Sequence, residues 1–254
     1  MPQSEAEMSE DGSFPELYAP PLTLCAIVPA FNESKSVGEV VTSIHTALPS
    51  AHILVVDDGS NDDTSAEAKK AGAAVITLPL NLGIGAAVQT GYFYAKRHGF
   101  DLAMQIDGDG QHDPHECRLL IEPIVNHRAD LVVGSRWLGR GEYEAPTGRR
   151  LGMRILSKLV GWRTKQNLTD TTSGFRAVGR KGIELFARSY PSDFPEVETL
   201  VLAKQCGLRI EEVPVRMVQR RHGRSSIAGL RSSYYMLRVV VALLIDTLDP
   251  KEVS

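Results

Sequence analysis

Cysteine is scarce in this sequence: three among 254 residues, at Cys25, Cys117 and Cys206, odd in number and far apart. A disulfide framework needs pairs and a structural zinc site needs closely spaced ligands. Both are excluded, and the chain reads as one kept reduced in the cytoplasm. An excess of positive charge is also missing. A formal net charge of −3 excludes a protein built to grip nucleic acid, which would carry a basic surplus. Long apolar runs are absent as well. Near the C-terminus, residues 236–245 are interrupted by Arg238, leaving an unbroken apolar stretch only over 239–245. A bilayer crossing takes ~20 such residues. Residues 1–22 are acidic, contain Ser and Pro, and lack the basic start and apolar middle of a signal peptide. They read as a disordered tail. No internal repeat is evident, and the remaining length suits one compact domain.

Short apolar runs alternate with helical patterns. Leu24-Cys25-Ala26-Ile27-Val28 is a buried strand closed by Pro29, since a continuous apolar run of this length is strand-like. Val37, Val40, Val41, Ile44 and Leu48 then recur at helical spacing, with Ser34 or Asn32 expected as N-cap. Ile53-Leu54-Val55-Val56 ends in Asp57-Asp58-Gly59-Ser60, and a helix is expected to start near Asp62-Asp63-Thr64, where acidic residues suit the N-terminal dipole. Ala74-Val75-Ile76-Thr77-Leu78 leads to Asn81-Leu82-Gly83-Ile84-Gly85 and a helix through Ala95. Two more runs, ending at Ile106 and Val133, deliver an acidic loop and Gly134-Ser135-Arg136. Polar residues therefore gather at the C-terminal ends of strands, the pattern of an α/β fold with a mostly parallel central sheet and a ligand crevice along one edge.

The acidic loop, Gln105-Ile106-Asp107-Gly108-Asp109-Gly110-Gln111-His112-Asp113, carries the most chemistry. Two carboxylates one residue apart can hold one divalent cation and leave its other positions to phosphate oxygens. Oxygen ligands of this kind suit Mg²⁺ or Mn²⁺ and not zinc. A calcium loop counted from Asp107 would need Gly and Glu where His112 and Arg118 stand, so that reading fails. Gly83-x-Gly85-x-x-Val88 follows the third strand and ends in Val; a dinucleotide fingerprint follows the first strand and ends in Gly or Ala. A dehydrogenase is excluded.

Val28-Pro29-Ala30-Phe31-Asn32-Glu33, Val55-Val56-Asp57-Asp58-Gly59-Ser60, Asn81-x-Gly83-x-Gly85, Asp107-Gly108-Asp109-Gly110-Gln111-His112 and Gly134-Ser135-Arg136 stand in this order. Thr172-Ser173-Gly174-Phe175-Arg176-Ala177 and Glu212-Val213-Pro214-Val215 follow. Together these segments resemble family 2 glycosyltransferases of the GT-A fold, and within them the dolichyl- and polyprenyl-phosphate sugar transferases. The resemblance implies a GT-A domain over residues 23–227, followed by a C-terminal apolar helix and tail over 228–254.

The resemblance also implies roles. A nucleotide-sugar donor would lie against Pro29, Phe31 and Glu33, one of Asp57 or Asp58, the loop Asp107-Gly108-Asp109, and Arg220 of a closing basic segment. Asp107 and Asp109, with Gln111 as a third ligand, would hold Mg²⁺ or Mn²⁺ on the donor diphosphate. Asp109 and Arg136 would carry the catalysis. Arg136, with Arg149 and Arg150, would bind the phosphate of a polyprenyl phosphate acceptor, Arg149 ahead of Arg150. His112 and Asp113 are expected to brace the loop or cap the helix begun by Pro114. Two positions depart from the family pattern: Ile84 and Ser226 both stand where relatives commonly have Lys. Glu196 and Glu198 open a later helix and receive no role, because both acceptor branches carry acids there.

The expected activity is a metal-dependent, inverting sugar transfer from a nucleotide-sugar to a polyprenyl phosphate at the inner face of the membrane. One alternative is a family 2 transferase that acts on a saccharide hydroxyl; another is a non-catalytic nucleotide-binding scaffold. The C-terminal helix is expected to pack on its own core, to meet a second subunit or membrane-protein partner, or to lie on the membrane beside Arg231 and Arg238.

Overall fold

The computed structural model describes residues 22–139 and 147–217, of which 147–155 as backbone. Seven strands form one sheet: β1 (Leu24–Ala30), β2 (His52–Asp57), β3 (Ala74–Thr77), β4 (Leu102–Gln105), β5 (Leu131–Ser135), β6 (Arg176–Gly179) and β7 (Ile210–Pro214). Their order is β3-β2-β1-β4-β6-β5-β7. Every pairing is parallel except those of β6, which runs antiparallel to both β4 and β5. The expected α/β architecture with a mostly parallel sheet is therefore present, with one reversed strand wedged into it.

Helices cover both faces: α1 (Val37–Ala47), α2 (Thr64–Lys70), α3 (Ile84–Arg97), α4 (Cys117–Val125), α5 (Thr147–Thr164), α6 (Arg180–Arg188) and α7 (Pro195–Gln205). Strand side chains alternate between two cores, as the pleat requires. Ala26, Val28, Ile53 and Val55 pack under α1 and α4, whereas Cys25, Ile27, Leu54 and Val56 pack under α3, α6 and α7. Burial without a polar partner pushes the Cys25 thiol up to about 12, so it behaves as a small apolar side chain.

Two local expectations change. β1 does not stop before Pro29 but runs through it to Ala30. A proline is tolerated there because β4 pairs with β1 only as far as Ile27, opposite Gln105, so the missing N–H faces no partner strand. The N-cap of α1 is Ser36, not Ser34 or Asn32. Asn32 sits in the left-handed region at φ 55°, and its Oδ1 accepts from the N–H of Asn61 at 2.9 Å. It ties the loop after β1 to the loop after β2.

The sheet and α3 meet closely at Gly91, where an added Cβ would lie 2.3 Å from Cγ2 of Ile27. Alanine would gain up to about 1 kcal/mol of helix propensity, but overpacking a filled core costs about 1–3 kcal/mol. Gly91→Ala is expected to lower the unfolding free energy measured in urea; an equal or higher value would show that α3 shifts without cost.

Candidate active site

The parallel strands all point their C-termini to one edge, where the loops after β1, β2, β3 and β4 enclose a cavity of about 680 Å³. Pro29, Phe31, Glu33, Asp58, Asp107, Gly108 and Asp109 all line it, with Ile84 at its rim. The size is that of a small-ligand site. Asp58 is buried and accepts from the N–H groups of Leu82 and Gly83, both at 2.8 Å, so the loop before α3 is hung on its carboxylate. Asp57 lies beneath the loop instead. Its carboxylate accepts from the Ser60 N–H at 3.0 Å and from the Ser65 hydroxyl, and it is not among the lining residues. Of the two acids, Asp58 is the one that faces the cavity.

Asp107 and Asp109 reach the cavity from one turn. Gly110 takes φ +75°, which only glycine adopts freely, and its turn lets Oδ1 of Asp109 accept the N–H of Gln111 at 2.9 Å. Gln111 itself is not among the lining residues. Gly108 is tight for a different reason: a Cβ there would stand 3.2 Å from the carbonyl of Pro29. Buried His112 braces the turn. Its Nδ1 accepts the N–H of Asp107 at 3.0 Å, its ring stacks on Phe175 with centroids 4.7 Å apart, and Nε2 lies 3.7 Å from Oδ2 of Asp107. Asp113 caps the 3₁₀ turn Pro114–Glu116 through the N–H of His115. Both residues thus do the bracing and capping that their positions imply.

The charged residues lining the cavity among those described are Glu33, Asp58, Asp107 and Asp109, all acids. Among the described residues no group of three or more His, Cys, Asp or Glu side chains forms a metal cage. Mg²⁺ does not need one, since it commonly takes one or two carboxylates and completes its shell with water and substrate phosphate. The oxygen donors of Asp107 and Asp109 fit that use.

Beyond β5, Arg136 is held rather than waving in solvent. Its Nε and Nη2 donate to the two oxygens of Asp170 at 2.6 and 2.7 Å, and Nη2 also donates to Thr172 at 2.8 Å. Asp170 is fully buried and Arg136 nearly so, with side-chain exposures of 0% and 10%. Asp170 is fixed in turn by Glu212 on β7, whose oxygens accept the N–H groups of Thr169 and Asp170 at 2.7 and 2.8 Å. Burial raises the pKa of Glu212, so its contribution to stability is complete below the ordinary carboxylate value and declines as pH rises through the raised one. Gly174, two residues past Thr172, packs on Asp107: a Cβ there would lie 3.2 Å from one carboxylate oxygen. The same short segment therefore touches both Arg136 and Asp107. Glu196, at the start of α7, feels Arg176, Asp107 and Arg136, and burial raises its pKa above the usual range.

Residues 25–186 match the family model for glycosyl transferase family 2. The chain belongs to that family. It is 31% identical to polyprenol monophosphomannose synthase of Mycolicibacterium smegmatis, over 90% of this chain and 89% of that one. It is 29% identical to UDP-N-acetylglucosamine–dolichyl-phosphate N-acetylglucosaminyltransferase of Methanococcus voltae, over 87% and 97%. In fold it resembles glucosyl-3-phosphoglycerate synthase of Mycobacterium tuberculosis, crystallised with Mn²⁺, uridine diphosphate and phosphoglyceric acid. The TM-score is 0.65 at 22% identity, covering 89% of this chain and 78% of that one. The protein is a glycosyltransferase with a GT-A fold.

Not every expected residue of the transferase can be placed. Arg149 and Arg150 lie in the first turn of α5, described as backbone. Arg220, Ser226 and the C-terminal helix fall outside the described residues, which end at Met217, paired with His112. The sequence reading missed Asp170 and gave Glu212 no role. The signal was available, because an arginine at the end of a buried strand needs a buried acid.

Removing one partner of a buried pair costs on the order of 3 kcal/mol. Asp170→Asn is therefore expected to lower stability in urea by about that amount. Arg128→Ala, which breaks exposed contacts to Glu122 and Glu211, is expected to cost under about 1 kcal/mol. Equal effects would mean that the Arg136–Asp170 pair is not what anchors this segment.

Proposed function

We propose that this family 2 glycosyltransferase moves one sugar, with inversion, from a nucleotide-sugar to a polyprenyl phosphate, using Mg²⁺ or Mn²⁺. The observation that carries the reading is the sign of the donor cavity. A diphosphate is polyanionic and the charged lining residues described are all acids, so a cation between them would favour donor binding. Asp107, Asp109 and, as a third ligand, Gln111 would hold that cation. The metal would stabilise the charge that builds on the departing nucleoside diphosphate. Phe31, which is 41% exposed, offers its ring to the base, and Pro29, Glu33 and Asp58 offer the remaining wall to the nucleoside. Gly108 lets the chain lie close. Arg220 would close over the diphosphate.

On the acceptor side, one phosphate oxygen attacks the anomeric carbon as the bond from that carbon to the diphosphate breaks. A phosphomonoester, with second pKa near ~6, is mostly ionised at neutral pH and needs no base. It needs cationic donors, and the arginine fork suits it. Arg136, with Arg149 and Arg150, would supply them. Asp170 offsets part of the charge of Arg136, so the role of Arg136 is more to present fixed N–H donors than to add net charge. The mycobacterial and archaeal relatives are named for polyprenol and dolichyl phosphate products and acceptors, which supports the lipid-phosphate reading. Such an acceptor would bring the enzyme to a membrane surface, and a nucleotide-sugar drawn from the cytoplasm would set it at the inner face.

A second reading, transfer to a saccharide hydroxyl, has Glu196 in its favour. A half-buried carboxyl whose pKa is raised by desolvation, close enough to Asp107 to feel its charge, is a candidate base for a hydroxyl acceptor. Incubation of membrane lipid extract with a panel of labelled nucleotide-sugars separates the two. Label is expected in the lipid phase, dependent on Mg²⁺ or Mn²⁺ and lost with chelator. Label confined to a water-soluble glycan would sink the lipid-phosphate reading. No transfer and no donor hydrolysis would leave the scaffold reading. Asp109→Ala is expected to lower turnover by at least ~10²-fold while its thermal melt stays near that of the parent. Glu196→Gln decides independently: activity within about threefold fits a phosphate acceptor, whereas a loss of ~10²–10⁴ fits a base.

A further inference from the structure

Helix α5 gathers charge of one sign. Its eighteen residues include Arg149, Arg150, Arg154, Lys158 and Arg163, with no Asp or Glu, in a chain whose net charge is −3. Leu156 and Val160 are fully buried and mark its inner stripe. Lys158 and Trp162, one turn apart, stand on the opposite side. Lys158 is exposed, and Trp162, at 65%, is the most exposed large hydrophobic residue among those described. Exposed Lys165 follows directly after the helix. An indole left in water forgoes the burial of about 150–250 Å², which makes an uncovered Trp on a basic helix conspicuous.

We infer that this outer face of α5, centred on Lys158 and Trp162, docks on the headgroup region of an anionic phospholipid membrane. Indole rings partition to the headgroup level, with an apolar body and a polar N–H. Flanking cations are drawn to an anionic leaflet, each strengthening binding about fivefold. Among the described residues no helix is long and apolar enough to cross a membrane, so the described domain can offer the bilayer only a surface. The orientation rests on the lipid-phosphate reading. The hydroxyl of Ser157 donates to the carbonyl of Thr169 at 3.3 Å, and Asp170, the next residue, holds Arg136. One side of α5 thus abuts the acceptor end of the site while the other meets lipid. A headgroup would then lie about one helix diameter, ~10 Å, from its place of reaction.

The test uses the full chain and vesicles of phosphatidylcholine with or without phosphatidylglycerol, without donor or acceptor. Flotation is expected with the anionic vesicles only, weakening as salt is raised. Lys158→Glu combined with Trp162→Ser is expected to lower the partition about tenfold or more, with unchanged far-UV dichroism and unchanged transfer to a short-chain, water-soluble prenyl phosphate. Trp137→Phe leaves Trp162 as the one indole, since the chain has two, and its emission is expected to shift to the blue on anionic vesicles. Retained flotation of the double variant, or an unmoved emission, would overturn the proposal. So would equally tight binding to duplex DNA lost in the same variant, which would assign the face to polyanions in general. Vesicle binding together with no lipid-phase label in the transfer assay with membrane lipid extract would leave α5 as the docking face and refute the acceptor reading alone.

Discussion

Glu33, Asp58, Asp107 and Asp109 share one cavity, and the loops after three different strands had to bring them together. Neutral donors hold each of them. Glu33 accepts the Ser36 hydroxyl, Asp58 the Leu82 and Gly83 amides, Asp107 the Gln105 amide and Asp109 the Gln111 amide. A neutral donor fixes a carboxylate without cancelling its charge. These contacts fix carboxylate oxygens at the strand ends, where a divalent cation carrying a diphosphate could use them.

Positive charge inside the molecule is handled in two different ways. Arg136 is matched to the carboxylate of Asp170. Arg176, though among the largest fully buried side chains, donates to oxygens that carry no formal charge: the carbonyls of Ser173 and Glu196 and the hydroxyl of Thr199. A guanidinium spreads its charge over five N–H donors and is weakly hydrated, so several well-placed carbonyls can satisfy it. Its job is structural, since it joins the loop before β6 to the first turn of α7. Arg176 and Glu196 meet through a backbone carbonyl as well as through their fields, and this keeps α7 in register with the site.

The strands that announce themselves by apolar runs were legible in the sequence: β1 to β5 each show one, and their loops carry the acids in the right order. β6 was not. Its four residues begin with a charged Arg176, and nothing in Arg-Ala-Val-Gly distinguishes a strand from a loop. What makes it a strand is the gap that β4 and β5 leave between them, a long-range fact. The cavity acids were legible because their spacing has a chemical meaning. The choice between Asp57 and Asp58 was not, because both are acids in one turn and only their partners separate them: Ser60 and Ser65 for Asp57, Leu82 and Gly83 for Asp58. Asp170 escaped notice since its partner lies 34 residues away.

Residues 169–175 show how an irregular segment can be as ordered as a strand. Asp170, Thr171 and Ser173 are each about 1% exposed, yet they belong to no element. Buried backbone groups must still be bonded, and Glu212 takes two of their amides at once. From this one anchor the segment reaches α5 through the Thr169 carbonyl, Arg136 through Asp170 and Thr172, and Asp107 through Gly174. These contacts tie three parts of the site to one short segment. The donor acids, the acceptor arginine and the helix proposed to face the membrane therefore share a single mechanical support. If the acceptor is a lipid phosphate as proposed, that shared support would hold the two substrate sites at a fixed angle to each other.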